Sequence, residues 1–281
     1  MGDSLEAAIV SFTTGLLFVS VIALFRKDVR SGFRQIFSAV NLKLLPSWRL
    51  GAGALGASFV AMQTYAVPIA GVALFTVASL AGQTGISLWV DHVGLAGGSR
   101  VIITKRRVIA AIITILAVVV STWDRFTISN FSLLTIVLAV FSGTWVGVQR
   151  ALNGQINSYS KASFATSLLN FITGTTFLLF LLLLRTLFTD HSVMNFTSGP
   201  WWMFLGGSIG VIYIALSAHI VQHVGVLEFT LFSVGGMLIG SLLIDIIVPT
   251  KGTVISGFLI AGILLTYLGV IANGQSRFSR K

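Results

Sequence analysis

The sequence contains no cysteine, so disulfides and thiolate-held metals are excluded and the redox compartment is unreadable. Charge is nearly as scarce. Charged residues make up 9% of the 281, where soluble domains carry about 25%. Aspartate and glutamate together number eight. So few charges cannot clothe a water-exposed surface. With 55% hydrophobic residues gathered in runs of about 18 or more, the chain reads as an all-α, polytopic membrane protein. No Walker-type glycine–lysine loop occurs, which excludes ATP as the direct energy source. The acids are too scattered for a catalytic cluster, so an enzyme, a cofactor and a metal centre are not expected. The formal charge of +10 does not indicate nucleic acid, because the basic residues fall between apolar segments. The first segment follows an acidic start (Asp3, Glu6), with no basic n-region of a cleavable signal peptide.

Nine apolar segments are long enough to cross the membrane, near 5–25, 50–67, 71–91, 104–122, 131–150, 163–185, 201–220, 225–247 and 253–272. The second and third are split at 67–71, where Pro68 and Gly71 can turn the chain. Alternating these segments puts 15 basic residues on one side, Arg150 among them, and three (Arg125, Arg185, Lys251) on the other. That asymmetry predicts an outer N-terminus and a cytoplasmic C-terminus. Between the first two segments, Val29, Phe33, Ile36, Phe37, Val40 and Leu44 recur at helical spacing opposite Arg26, Lys27, Arg30 and Arg34. The stretch 26–45 therefore reads as a basic amphipathic helix lying on the inner leaflet, with the lipid bilayer as its partner. Tryptophans 48, 89, 123, 145, 201 and 202 fall mostly near expected helix ends, as interface anchors do.

The chain also repeats itself. Shifted by 154 positions, 46–91 lies over 200–245 without a gap, and 15 of the 46 positions are identical. Composition bias alone would give roughly a third of that. SLEAAIVSFTTG at 4–15 likewise resembles SFATSLLNFITG at 163–174. The charge pattern gives the two copies opposite directions, so an inverted repeat is expected. The first repeat (1–123) has four helices and the second (124–281) five, its extra member being 131–150. Either a first helix has been lost or the start lies further upstream; an in-frame G-x-Q-x-x-x-N segment before Met1 would decide.

Several motifs carry a resemblance. GVQRALNGQI at 147–156 continues through ASFATSLLNFITG at 162–174, PWW and GGSIG lie in 200–210, and SLWVDHVGL occupies 87–95. Together they resemble the YdcZ-type branch of the drug/metabolite transporter superfamily, across essentially the whole chain. The resemblance implies two inverted five-helix repeats around a central cavity in a bacterial inner membrane. It also implies export of a small metabolite or drug-like solute by alternating access. The alternative is a non-transporting membrane scaffold or accessory protein.

Candidate site residues follow from polarity inside apolar segments. Asp91 and Asp245 are the matched acids of the two copies. They are read as gates or structural pairs, Asp91 with Arg100 or Arg106 and Asp245 with Lys251, with proton or solute binding as the other reading. Glu228, whose counterpart is Leu74, is either a favourable first-turn carboxylate or the coupling acid. Gln149 and Asn153, four apart on one helical face, and Asn170 can hold a polar solute or hydrogen-bond between helices. Gln63 and Gln83 are the first-repeat candidates. His219 and His223 share a helix face, but two ligands make a weak metal signal, and an interfacial pair is favoured. Glycine-rich faces at 206–210 and 235–241 suit close helix crossing within the chain or in a homodimer.

Overall fold

The computed structural model describes residues 4–70, 72–98, 100–121, 123, 133–188, 201–247 and 257–278. Among these there are helices and turns and no strand. In chain order the α-helices are α1 (Ser4–Phe25), α2 (Lys27–Asn41), α3 (Ala52–Ala70), α4 (Val72–Val93), α5 (Lys105–Ser121), α6 (Leu133–Ser160), α7 (Ser163–Phe188), α8 (Leu205–Val224), α9 (Val226–Ile247) and α10 (Gly257–Phe278). By length and composition, five helical spans among the described residues suit a membrane: Ser4–Phe25, Ser47–Ile69, Leu133–Ser160, Ser163–Phe188 and Leu205–Val224. Val226–Gly240 and Gly257–Ala272 are shorter apolar stretches. Large apolar side chains such as Leu17, Leu24, Leu183 and Leu264 stand exposed, as they do where the solvent is hydrocarbon.

Two helix boundaries differ from expectation. α3 runs on to Ala70, so Pro68 stays inside it, two residues before its end. In the last turn its missing N–H and its ring disturb only the end of the helix. α6 does not stop at Arg150 but runs on to Ser160, 28 residues in all. Its polar tail does not break the helix because Gln149, Asn153 and Asn157 recur every fourth residue and are all buried.

The chain divides into two compact units, each drawing helices from both halves of the sequence. One comprises Met1–Tyr65, Leu95–Ser99 and Val148–His223. The other comprises Ala66–Gly94, Arg100–Gly147 and Val224–Lys281.

In the first unit, helices meet through glycine notches, the closest approach available where burial gives no hydrophobic gain. Phe12 of α1 and Phe171 of α7 pack with ring centroids 5.2 Å apart. Each ring occupies the other helix's notch: a Cβ on Gly15 would strike Phe171, and one on Gly174 would strike Phe12. The flanking helices repeat the exchange. Gly53 of α3 lies against Asn170, Thr173 and Gly174 of α7, and Gly207 of α8 lies against Ser11, Thr14 and Gly15 of α1. Around these crossings Ile9, Val19, Ala57, Leu178 and Val211 form the core.

α2 is docked on the same unit. Val29, Gly32, Ile36 and Ala39 are buried, and Gly32 lies against the Ser160 carbonyl and Ala162 at the α6–α7 connection. Part of the expected lipid-facing stripe therefore packs on protein, while Phe37 and Leu44 remain exposed. Arg26 binds Asp28 at 2.5 Å at the start of the helix, and that hydrogen bond holds the Asp28 carboxyl below the usual carboxylate range.

In the second unit, α5 and α10 pack along a stripe of small residues. Ala110, Thr114, Ala117 and Ser121 of α5 face Gly262 and Gly269 of α10. α4 crosses α6 just as closely, Gly82 lying on the Val140 carbonyl and Gly143 on the Ser79 carbonyl. Val77, Leu80, Val118 and Val234 fill one core of this unit, and Ala110, Ala111, Leu227 and Leu231 another.

Candidate functional site

Each unit buries a polar cluster. In the first, Gln149 and Asn153 project from α6 one turn apart and converge on Asn170 of α7. Gln149 Nε2 donates to Asn170 Oδ1 at 3.0 Å, and Asn153 Nδ2 donates to the same oxygen at 3.1 Å. The three side chains are 7%, 2% and 1% exposed. α3 can close over them because it presents glycine: a Cβ on Gly56 would strike the Gln149 amide. The sharing of one acceptor has a consequence. Asn170 Nδ2 and Asn153 Oδ1 are buried with no hydrogen-bond partner. Such orphaned groups cost about 1–3 kcal/mol each. A donor and an acceptor left bare in one cluster suit a polar solute or water.

The next residue of α6 was misplaced by the sequence reading. Arg150 had been counted as a loop charge. It lies ten residues before the end of α6, about 15 Å by helical rise, and is 6% exposed. Its Nη2 donates to the Tyr213 hydroxyl of α8 at 2.6 Å, and the guanidinium lies over the Tyr213 ring, 5.8 Å from the centroid. A helical spacing extended from Gln149 and Asn153 to Asn157 would have revealed this, since it carries the helix past Arg150. Asn157 itself is buried and accepts from Thr166 Oγ1 at 3.3 Å, which ties α6 to α7 near their connection.

The second unit's cluster is a buried acid. Asp91 at the end of α4 is 3% exposed, and its partner is neither Arg100 nor Arg106 but Arg107, Nη2 to Oδ2 at 2.5 Å. The first turn of α5 explains the choice: Lys105 and Arg106 face outwards and Arg107 faces inwards. Two backbone amides add to it. Val226 N donates to Asp91 Oδ1 at 2.6 Å and Leu227 N to Oδ2 at 3.1 Å. Asp91 thus caps α9 from another helix. The positive end of α9 offsets the unfavourable C-terminal end of α4 on which the carboxylate sits. The cap is reached because Gly225, at φ +92°, turns the chain into α9, and a Cβ there would crowd the carboxylate at 3.0 Å.

The remaining candidates lie apart. Gln83 of α4 is buried in the second unit, and its Oε1 has no hydrogen-bond partner. Gln63 is half-buried on α3, seven residues beyond Gly56. Glu228 occupies the first turn of α9, where a carboxylate is favoured. Asp245 falls in α9, but its side chain lies outside the described residues, as does Lys251. His223 Nδ1 is 2.7 Å from the His219 carbonyl, with the two rings 5.0 Å apart. Among the described residues no three acids or histidines gather as a metal site would require.

The profile of one family, described as "Putative inner membrane exporter, YdcZ", matches residues 1–120 and 134–272. The chain belongs to this family. Membership places it at the inner membrane, and the apolar helices fit a multi-pass protein. An exporter is not an enzyme class. Among curated proteins no relative matches. A solved structure described only as "Crystal structure of protein" shares 16% identity at a TM-score of 0.65, over 99% of this chain and 90% of the other. At that identity the likeness is one of fold alone.

Proposed function

We propose that this YdcZ-family chain is a secondary transporter. In this reading it exports a small polar solute by alternating access, across nine membrane crossings with the N-terminus outside. The observation that carries it is the amide cluster of Gln149, Asn153 and Asn170. A cluster that only glued helices together would consume its own hydrogen bonds, whereas this one leaves a buried donor and acceptor unused. Support for the inverted repeat comes from the glycine notches. The equivalent motifs Phe12–Gly15 and Phe171–Gly174 fill one another's notches, and the equivalent Gly53 and Gly207 pack on the equivalent stretches of α7 and α1. The basic asymmetry read from the sequence still favours a cytoplasmic C-terminus when Arg150, which lies inside α6, is left out of it. Glu228 is the proton-coupling acid in this scheme, and Asp91 is a structural latch.

The test is efflux from reconstituted vesicles loaded with the small-molecule fraction of a bacterial cytosol, read by mass spectrometry. At least one solute leaves faster than from protein-free vesicles, and Asn170→Ala slows it about tenfold or more. Equal release from protein-containing and protein-free vesicles rejects the reading. Glu228→Gln abolishes the part of the flux driven by a pH gradient; persistence of that part removes Glu228 from the scheme.

A further inference from the structure

The charge within α6 narrows the solute. Arg150 lies within α6 and is 6% exposed. Burying an arginine costs several kcal/mol. Amides alone would serve a neutral solute without that cost, so the arginine needs a reason of its own. Its neighbours supply the geometry. Arg150 and Asn153 are three apart and share one face of α6, and Asn153 bonds Asn170, whose Nδ2 is the buried unused donor. Tyr213 fixes the guanidinium from α8 by a hydrogen bond and ring contact. Neither α3, α6, α7 nor α8 contains an aspartate or glutamate, so the four helices that build this site bring only positive charge to it.

Resting on the transporter reading above, we propose that the solute bound at the amide cluster is an oxyanion, a carboxylate or phosphate, and that Arg150 selects it. The guanidinium and Asn170 Nδ2 are donors, and an oxyanion offers only acceptors, so the sets are complementary. A cationic solute meets like charge at the same place. Asn153 Oδ1 takes a hydroxyl or amino group of the same solute.

The experiment uses full-length protein in nanodiscs and four probes: inorganic phosphate, and the four-carbon set of succinate, 1,4-butanediol and 1,4-diaminobutane, which varies end-group charge on one skeleton. The thermal unfolding midpoint is measured against probe concentration. Phosphate or succinate raises it in the wild type, while the diol and the diamine do not. Arg150→Gln weakens the response about tenfold or more, and Arg150→Lys keeps part of it, because lysine retains the charge without the planar fork. Asn170→Asp is the second variant, proof against a folding failure of Arg150→Gln. It keeps the oxygen that accepts both amide bonds and replaces the unused donor by a second acceptor, so the anion response disappears while the fold is retained. Three outcomes overturn the proposal: an equal anion response in Arg150→Gln, which marks an adventitious ion only; a response to the diol or diamine as large as that to the anions; or no response to either anion. Arg150-dependent anion binding without vesicle flux rejects the transporter reading and leaves the anion site standing. Flux of a neutral or cationic solute does the reverse.

Discussion

The two buried polar clusters answer the membrane in opposite ways. Asp91 in the second unit receives the Arg107 guanidinium and two backbone amides, so both of its oxygens are engaged. The amide cluster in the first unit spends two donors on one oxygen and leaves a donor and an acceptor bare. Charge alone would have pointed to the aspartate as the functional group. Satisfaction of hydrogen bonds points the other way: a saturated acid suits the structural role proposed for it, and unsaturated amides suit the proposed binding site. Gln83 belongs with the amides on this criterion, since its buried Oε1 also lacks a partner.

Mutations that separate stability from transport can break this comparison. The largest stability loss is expected for Asp91→Ala, which strands Arg107 and uncaps α9, at about 3–5 kcal/mol. Thermal unfolding in detergent measures it, and adding Arg107→Met recovers most of the loss by removing the stranded charge. Next comes Gly174→Leu, which drives a side chain into the Phe12 ring and costs about 1–3 kcal/mol. The double variant with Phe12→Ala is more stable than Gly174→Leu alone; no rescue would show that the notch is not what the glycine serves. Asp245→Asn is expected to cost less than Asp91→Ala, under about 2 kcal/mol, because the amide keeps the volume of the carboxylate and can still accept and donate hydrogen bonds. Asn170→Ala removes two interhelical hydrogen bonds and is expected to cost about 1–2 kcal/mol, less than Asp91→Ala, although its efflux falls most among these variants. A loss as large as that of Asp91→Ala would erase the distinction between the clusters.

Much of this organisation was legible in the sequence, for identifiable reasons. The segment bounds 201–220 and 225–247 bracketed the α8–α9 break, which falls where Gly225 adopts a left-handed backbone. The amphipathic spacing of 26–45 gave α2, since a buried stripe of Val29, Ile36 and Ala39 leaves a period behind it. The amide triad was named because polar residues inside apolar runs are conspicuous. What escaped was set by contacts distant in sequence. The cap of Asp91 on Val226 spans 135 residues and uses backbone donors, which have no sequence signature. Arg150 was hidden by the rule that basic residues mark loops, a rule that fails where a helix carries its own polar stripe past the charge. The choice of Arg107 over Arg106 turns on a single step around the first turn of α5.

The interlocked rings of Phe12 and Phe171 also bear on how such a chain ages. On the inverted-repeat reading proposed above, most positions of the two copies are free to diverge after duplication, and 15 identities in 46 measure how far that has gone in one stretch. The ring-and-notch pair is different, because each copy of the motif became the other's socket. A larger residue in either notch must be answered by a smaller one in the opposite ring, so the two halves of the gene inherit their changes here jointly. A lineage sampled widely enough would record that debt as paired substitutions at 12 with 174 and at 15 with 171.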